Sequence, residues 1–262
     1  MVKGGIINLD NIQKIGIIII QSLDKNDKET GRILSNGIIK YKTFQEESFS
    51  SEFKDISSKN ELLTYLEELI ERIEKEKFYF VLHFEVHGNE QGIVLKNGDG
   101  VLWNELFVYT RKINILFGGN LALGLAMCYG GAILSSIQPN DRAPFKFFIG
   151  AFREINSDEI IRGFEQFYNY FLFSFSPIKS LDFMNIELNP DEKTFHFMND
   201  ELIFDAICNP DRDPTGFAKV VDEHFYNSPH IKREAIEKNI RDFLAVTHLK
   251  YRDFFCFNDI KA

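Results

Sequence analysis

The sequence predicts an α/β fold, a three-layer α/β/α sandwich around a mostly parallel sheet of about six strands. Apolar runs rich in β-branched or aromatic residues alternate along the chain with stretches of helical periodicity. The runs are largely apolar, as in strands that helices cover on both faces. The 262 residues are 44% hydrophobic, which is enough for a sizeable core. Alternating strands and helices favour a parallel sheet between two helical layers.

Four runs are predicted to be strands of this sheet: Ile15–Ser22, Phe78–Val86, Asn120–Met127 and Phe145–Phe152. Three segments have helical spacing of apolar residues: Asn60–Lys75, about Trp103–Ile113, and Asp158–Phe173. Ser157 is the expected N-cap of the third helix. Residues 91–102 predict a hairpin, because Asn97-Gly98 separates two apolar runs.

The segment after Pro190 is predicted to form short strands, then helices. The strands are Thr194–Phe197 and Leu202–Ile207, and the helices are about Thr215–Tyr226 and His230–Thr247. We expect residues 1–190 to form the main domain and residues 191–262 to form an extension packed on the same domain. This extension could cap the sheet edge, bind an activator or form a homodimer interface.

Charge and composition exclude several classes of partner. The net charge of −9 argues against a phosphate-binding surface, so nucleic acid is not an expected partner. Three cysteines form no disulfide framework, which indicates a reduced, cytoplasmic protein. Met1–Asp10 has no long apolar segment typical of a signal peptide, and Ile15–Ile20 is too short to span a bilayer. We therefore expect a soluble protein without a membrane partner.

Two predicted strands end in residues that can do chemistry. The second ends in His87-Gly88, and the third ends in Cys128. Ligands bind beyond the carboxyl ends of strands in such sheets, so the two side chains could converge. An imidazole can help to generate a reactive thiolate. The N–H groups of Gly88 and Cys128 could form a two-donor oxyanion hole.

This pattern resembles the caspase-like (clan CD) cysteine peptidases, including the metacaspase-like, prokaryotic types. An apolar strand ending in His87-Gly88 is followed by a hairpin, a helix and an apolar strand ending in Ala126-Met127-Cys128-Tyr129-Gly130. The resemblance covers roughly residues 15–185, and it implies a peptidase domain over residues 1–190. It further implies an endopeptidase that cleaves polypeptides through a thioester, with Cys128 as nucleophile, His87 as general acid or base and Gly88 as oxyanion donor. Phe145 lies only 145 − 128 = 17 residues beyond Cys128, which leaves little room for the long cleavable linker of executioner caspases, so we expect a single-chain enzyme.

The specificity of such an enzyme stays open between acidic and basic residues. The two positions before the nucleophile, Gln-Ala in caspases, are Ala126 and Met127 here, and the acid that metacaspases carry two residues before it is absent. Arg32 and Arg153 resemble the pocket arginines with which caspases bind aspartate. Ala126, Glu85 and these two arginines are therefore the predicted substrate-binding residues, with Glu85 expected to support His87 or a pocket arginine.

Two other interpretations remain open beside the peptidase, a metal-dependent hydrolase and a non-catalytic binding module. His83, Glu85 and His87 alternate along one strand and therefore share a face, which could bind zinc in a metal-dependent hydrolase. A strand buried in a sheet would instead make His83 a core histidine, so we predict no metal site. The glycine pairs at 118–119 and 130–131 lack phosphate-loop spacing, so we predict no cofactor.

The second alternative to the peptidase is a non-catalytic binding module on the same fold.

Cys208 and Cys256 lack a histidine partner and are interpreted as packing residues.

The resemblance also implies a biological setting. Prokaryotic relatives often act as latent effectors of antiviral defence or cell-death systems, and an activating small molecule or partner protein triggers them.

Overall fold

The computed structural model describes residues 14–228 and 230–260. It divides into two compact units, which we describe separately. Unit 1 comprises residues up to 137 together with 144–198, and unit 2 comprises residues 138–143 together with those from 199 onwards. The N-terminal segment Met1–Asp10, for which the sequence predicts no targeting signal, lies outside the described residues.

Unit 1 is built on a mostly parallel sheet, as the sequence predicts. Its path runs in the order β2-β1-β3-β6-β7-β8. The register establishes parallel pairing of β1 with β2 and β3, of β3 with β6, and of β6 with β7. The strands are β1 (Lys14–Ser22), β2 (Phe49–Asp55), β3 (Phe78–Gly88), β4 (Gly92–Val94), β5 (Gly100–Leu102), β6 (Ala122–Ala126), β7 (Phe147–Gly150) and β8 (His196–Asn199).

Helices cover both faces of this sheet. The helices of unit 1 are α1 (Thr30–Leu34), α2 (Lys40–Gln45), α3 (Lys59–Glu76), α4 (Trp103–Leu116), α5 (Ser157–Ser174) and α6 (Pro177–Leu188). Ile17 and Ile19 of β1 belong to one buried cluster with Phe164 and Phe167 of α5. Successive strand residues point to opposite faces, so the fully buried Ile18 faces the other layer. The three-layer α/β/α prediction is confirmed.

Local signals explain where the main helices begin. The Ser58 side chain accepts a hydrogen bond from the N–H of Glu61 and caps α3. In α5 the cap is Asn156, which accepts from the N–H groups of Asp158 and Glu159. The prediction of Ser157 as this N-cap is therefore wrong by one residue. The amide of Asn156 reaches the free donors of the first turn, and Ser157 is already helical.

The predicted hairpin is confirmed as the antiparallel pair β4–β5. Gly98 at its turn has a φ of +88°, a conformation that glycine adopts without strain. The hairpin pairs with the end of β3, where His87 lies opposite Val94 and Gly88 opposite Ile93. It thus braces the end of the strand that carries the predicted catalytic histidine.

Unit 2 is helical in its described part after β8. Its helices are α7 (Asp200–Cys208), α8 (Pro214–Asn227) and α9 (Arg233–Phe255). The predicted strand Leu202–Ile207 is wrong, since these residues lie in α7. Asn199 accepts a hydrogen bond from the N–H of Leu202 at 2.8 Å and starts the helix there. The predicted domain boundary at residue 190 lies before β8, whereas unit 1 extends to Met198.

The packing of the predicted 191–262 extension on the main domain stays a prediction. Within the described ranges, none of the helices is both long and apolar enough to cross a lipid bilayer.

Candidate active site

The ends of β3 and β6 bring the predicted catalytic residues to the same edge of the sheet. In the parallel ladder His83 pairs with Gly124, and Glu85 pairs with Ala126. His87 and Cys128 each follow two residues after that last pair, so they occupy equivalent positions at the carboxyl ends of neighbouring strands. This is the edge at which ligands bind in open parallel sheets.

Gly88 lies directly against the nucleophile loop. A Cβ atom at this position would lie only 2.3 Å from the carbonyl oxygen of Cys128. The next residue of the loop, Tyr129, has a φ of +54°, and the chain then turns into a 3₁₀ helix over Gly130–Ser136. The absence of a side chain at Gly88 therefore permits the close approach of its backbone to Cys128.

His87 and Cys128 line one cavity of about 460 Å³. Its walls come from the loop after β1, the start of α1, the ends of β3 and β6, and the start of α5. The lining residues are Leu23, Asn26, Asp27, Lys28, Thr30, Glu85, Val86, His87, Ala126, Met127, Cys128, Ile155, Ser157 and Ile160. Of the predicted site residues, the structure thus gathers His87, Cys128, Glu85 and Ala126 around one open space, with Gly88 at its edge.

The environment of Cys128 differs from that of the other two cysteines. Its thiol is partly exposed, and the N–H of Ile155 donates to Sγ at 3.4 Å. The same sulfur lies 3.5 Å from the carbonyl oxygen of Ile155, so the backbone of this residue holds the Cys128 side chain in place. Cys208 and Cys256 are both buried. Burial raises the pKa of the Cys208 thiol to about 11, which makes that thiol a poor nucleophile near neutral pH.

A carboxylate that the sequence analysis did not select contacts the histidine. Asp27 Oδ2 lies 2.9 Å from His87 Nε2, and the same oxygen accepts the N–H of Asp24. An acceptor at Nε2 favours the tautomer whose Nδ1 carries the free lone pair. The signal was available in the sequence: Asp27 closes the turn after β1, and the pairing of β1 with β3 places that turn beside His87.

Glu85 is held in a buried chain of hydrogen bonds. It is 1% exposed, and its Oε2 accepts from the Thr30 hydroxyl at 2.5 Å. His83 Nε2 lies 2.9 Å from Oε1, and His83 Nδ1 lies 3.1 Å from the Tyr168 hydroxyl. Burial, together with the charge of Glu85, raises the pKa of Tyr168, so the hydroxyl stays protonated. Tyr168 can therefore donate to His83, which in turn donates to Glu85.

Gly124 leaves the space that this chain needs. A Cβ atom on Gly124 would lie 2.4 Å from His83 Nδ1. Both ring nitrogens of His83 are engaged, one with Tyr168 and one with Glu85. His83 is therefore a satisfied core histidine, as the sequence analysis expected. Within the described ranges, the group that could hold a metal ion is instead Asp24, Asp27 and His87, whose ligand atoms lie within 4.8 Å of one another.

The two arginines predicted to bind substrate lie outside the residues that line the cavity. Arg32 pairs with Glu29 at 2.9 Å and stacks over the ring of Phe53. Arg153 donates to Glu159 at 2.8 Å and to Thr194 at 3.0 Å. Both guanidinium groups thus have partners elsewhere in unit 1, and their role in substrate binding stays a prediction.

No protein-family model matches the sequence, and none of the curated proteins matches it. Among solved structures, the chain is similar to the initiator caspase Dronc of Drosophila, with a TM-score of 0.51 and 15% sequence identity. The similarity covers 72% of this chain and 80% of that one. Together with the parallel sheet flanked by helices, this likeness shows that the chain has a caspase-like fold.

Proposed function

We propose that the chain is a caspase-like cysteine endopeptidase that uses His87 and Cys128. The observation that carries the proposal is the placement of both side chains on one cavity, at equivalent ends of neighbouring strands in a caspase-like fold. Asp27 is the proposed positioning residue, because it contacts Nε2 of His87. The only partly exposed thiol of the three cysteines lies in this cavity.

The reaction follows from these groups. The thiolate of Cys128 attacks the carbonyl carbon of the scissile peptide bond, and the carbonyl oxygen becomes an oxyanion. The N–H groups of Gly88 and Cys128 are the proposed donors to this oxyanion. His87, having taken the thiol proton, gives a proton to the leaving amine as the C–N bond breaks. Water then hydrolyses the thioester, with His87 accepting its proton, and releases the carboxylic acid and the thiol.

Labelling with peptidyl acyloxymethyl ketones tests the dyad. We expect a covalent adduct on Cys128 that is absent from Cys128→Ala and slow in His87→Ala. Cys208→Ala is the matched control and should label like the unaltered protein. If neutral iodoacetamide alkylates Cys128 as fast in His87→Ala as in the unaltered protein, the peptidase proposal fails, and the fold serves as a non-catalytic binding module.

The proposal includes latency, which the resemblance implies for an effector of bacterial defence or cell death. The proposed contact for an activating protein or a second copy is the surface of α9, where Phe243, Val246 and Leu249 are spaced three residues apart and are all more than 60% exposed. Selective alkylation of Cys128 without peptide hydrolysis would identify a latent enzyme. Hydrolysis by the isolated monomer, at a rate independent of protein concentration, would contradict latency.

A further inference from the structure

The charges in the candidate site point to the class of substrate, an inference that rests on the proposed peptidase function. The carboxylates that line the cavity belong to Asp27 and Glu85. Its one lysine, Lys28, pairs with Asp158 at 2.8 Å. Neither Arg32 nor Arg153 lines the cavity. The cavity that holds the nucleophile is therefore acidic, although caspases bind aspartate with arginines.

Glu85 is a buried carboxylate without a fixed cation. Within the described part of the chain its ion-pair partner is His83, and no lysine or arginine pairs with it. The His83 ring satisfies both of its contacts when Tyr168 donates to Nδ1 and Nε2–H donates to Glu85. The contacts of the Glu85 carboxylate are then a hydroxyl, from Thr30, and an imidazole N–H, from His83. An uncompensated charge shielded from water is costly, and a substrate cation would relieve that cost.

The position of Glu85 suits contact with a substrate side chain. It pairs in the ladder with Ala126, which lies two residues before Cys128 and also lines the cavity. The methyl group of Ala126 leaves open the space that a longer side chain would fill. Each carboxylate oxygen of Glu85 accepts one hydrogen bond and has capacity for another. A guanidinium or ammonium group could therefore bind there with good geometry.

We propose that Glu85 is the specificity-determining residue of this peptidase and selects substrates with arginine or lysine immediately before the scissile bond. The contact forms between the cationic side chain and a carboxylate that is shielded from water, where charge-assisted hydrogen bonds are strong. Asp27 adds negative charge at the mouth of the same cavity while it contacts His87.

The first test uses the unaltered full chain and peptides that differ only at this position, with arginine, lysine, citrulline, leucine or aspartate. Citrulline keeps the shape of arginine and loses its charge. We expect arginine to exceed citrulline in kcat/KM by roughly 10- to 100-fold, as for hydrogen bonds to a charged group. Preference for aspartate or leucine, or equal rates with arginine and citrulline, would overturn the inference. The peptidase proposal would survive such a result.

The second test removes the charge. Glu85→Gln should reduce the arginine-to-citrulline ratio of kcat/KM to within about threefold. Glu67→Gln is the matched control, because Glu67 is exposed on α3 and the change in net charge is the same. An unchanged ratio in Glu85→Gln would also overturn the inference. If this variant does not fold, the comparison of the arginine and citrulline peptides on the unaltered protein still tests the preference for a cationic side chain.

A latent enzyme requires a readout without turnover. Modification of Cys128 by cationic 2-aminoethyl and anionic 2-sulfonatoethyl methanethiosulfonate, in which the thiolate forms a mixed disulfide and displaces methanesulfinate, can be followed by mass spectrometry. The rate with the cationic reagent, divided by the rate with the anionic reagent, should be higher in the folded protein than in the urea-unfolded chain. This quotient should fall by roughly 10-fold or more in Glu85→Gln. A ratio that Glu85→Gln does not change refutes the role of Glu85. Failure of the peptidase proposal would show separately, as an iodoacetamide reactivity of Cys128 that His87→Ala does not change.

Discussion

Replacement of Gly88 by alanine tests whether the close approach of two strand ends creates the active site. The added Cβ would lie 2.3 Å from the carbonyl oxygen of Cys128, and real Cβ contacts are essentially never below 3.0 Å. The two strand ends must therefore separate by at least 3.0 − 2.3 = 0.7 Å. The atom in the way is backbone, which cannot rotate aside like the end of a side chain. Cys128, whose backbone must shift, is the proposed nucleophile.

Such a shift should reduce catalysis more than stability. Misplacement of a reacting group by about 1 Å can cost ~100-fold in rate, so we expect Gly88→Ala to lower kcat/KM by roughly 30- to 100-fold. Crowding of this kind costs about 1–3 kcal/mol in the free energy of unfolding. Peptide hydrolysis, or the rate of acyloxymethyl ketone labelling, measures the first effect, and urea unfolding measures the second.

The matched control is Gly100→Ala, another strand glycine, around which an added Cβ would meet nothing within 4 Å. It should leave both quantities almost unchanged. Retention of activity within threefold in Gly88→Ala would refute the reasoning, because the site would then tolerate the displacement that the geometry requires. A loss of equal size in Gly100→Ala would show that the effect is general to these strands.

Three further outcomes follow from the described contacts. Asp27→Asn should lower kcat/KM by about tenfold in peptide hydrolysis, a modest effect because the pair with His87 is partly solvent-exposed. Gly124→Ala should destabilise the fold by about 1–3 kcal/mol in urea unfolding, because the new Cβ displaces the buried His83 from its partners. Cys208, whose pKa burial raises to about 11, should stay unalkylated in the native protein at pH 7.5 and become reactive as the pH approaches 11 or when urea unfolds the chain.

The central strands could be predicted because their sequence signals are strong and local. Ile15–Ser22 and Phe78–Val86 are largely apolar runs, and both form largely buried strands in the structure. Strand β2 was not predicted, because it lies at the sheet edge and has no apolar run. Its sequence mixes serine, glutamate and lysine with two phenylalanines. Helices α1 and α2 escaped too, because a π-helical segment with a kink at Gly37 interrupts their periodicity.

The residues of the candidate site that could be predicted are those at or near the carboxyl ends of predicted strands. His87 and Cys128 come directly from the rule that ligands bind at the carboxyl ends of parallel strands. Asp27 required knowledge of the strand order, since the turn after β1 is next to His87 only because β1 pairs with β3. Arg32 was selected by its resemblance to a pocket arginine of caspases, and that resemblance carries no information about the partners, Glu29 and Phe53, that hold the side chain.

Glu85 shows why position in a sequence motif and position in space lead to different expectations. A motif comparison examines the residue two before the nucleophile, finds Ala126, and concludes that no acid is present for a basic substrate. The parallel ladder pairs that alanine with Glu85 on the neighbouring strand, and both residues line the same cavity. A substrate side chain responds to the charge it meets, whichever strand supplies it. The specificity of this site is therefore better inferred from the register of β3 against β6 than from the residues around Cys128 alone.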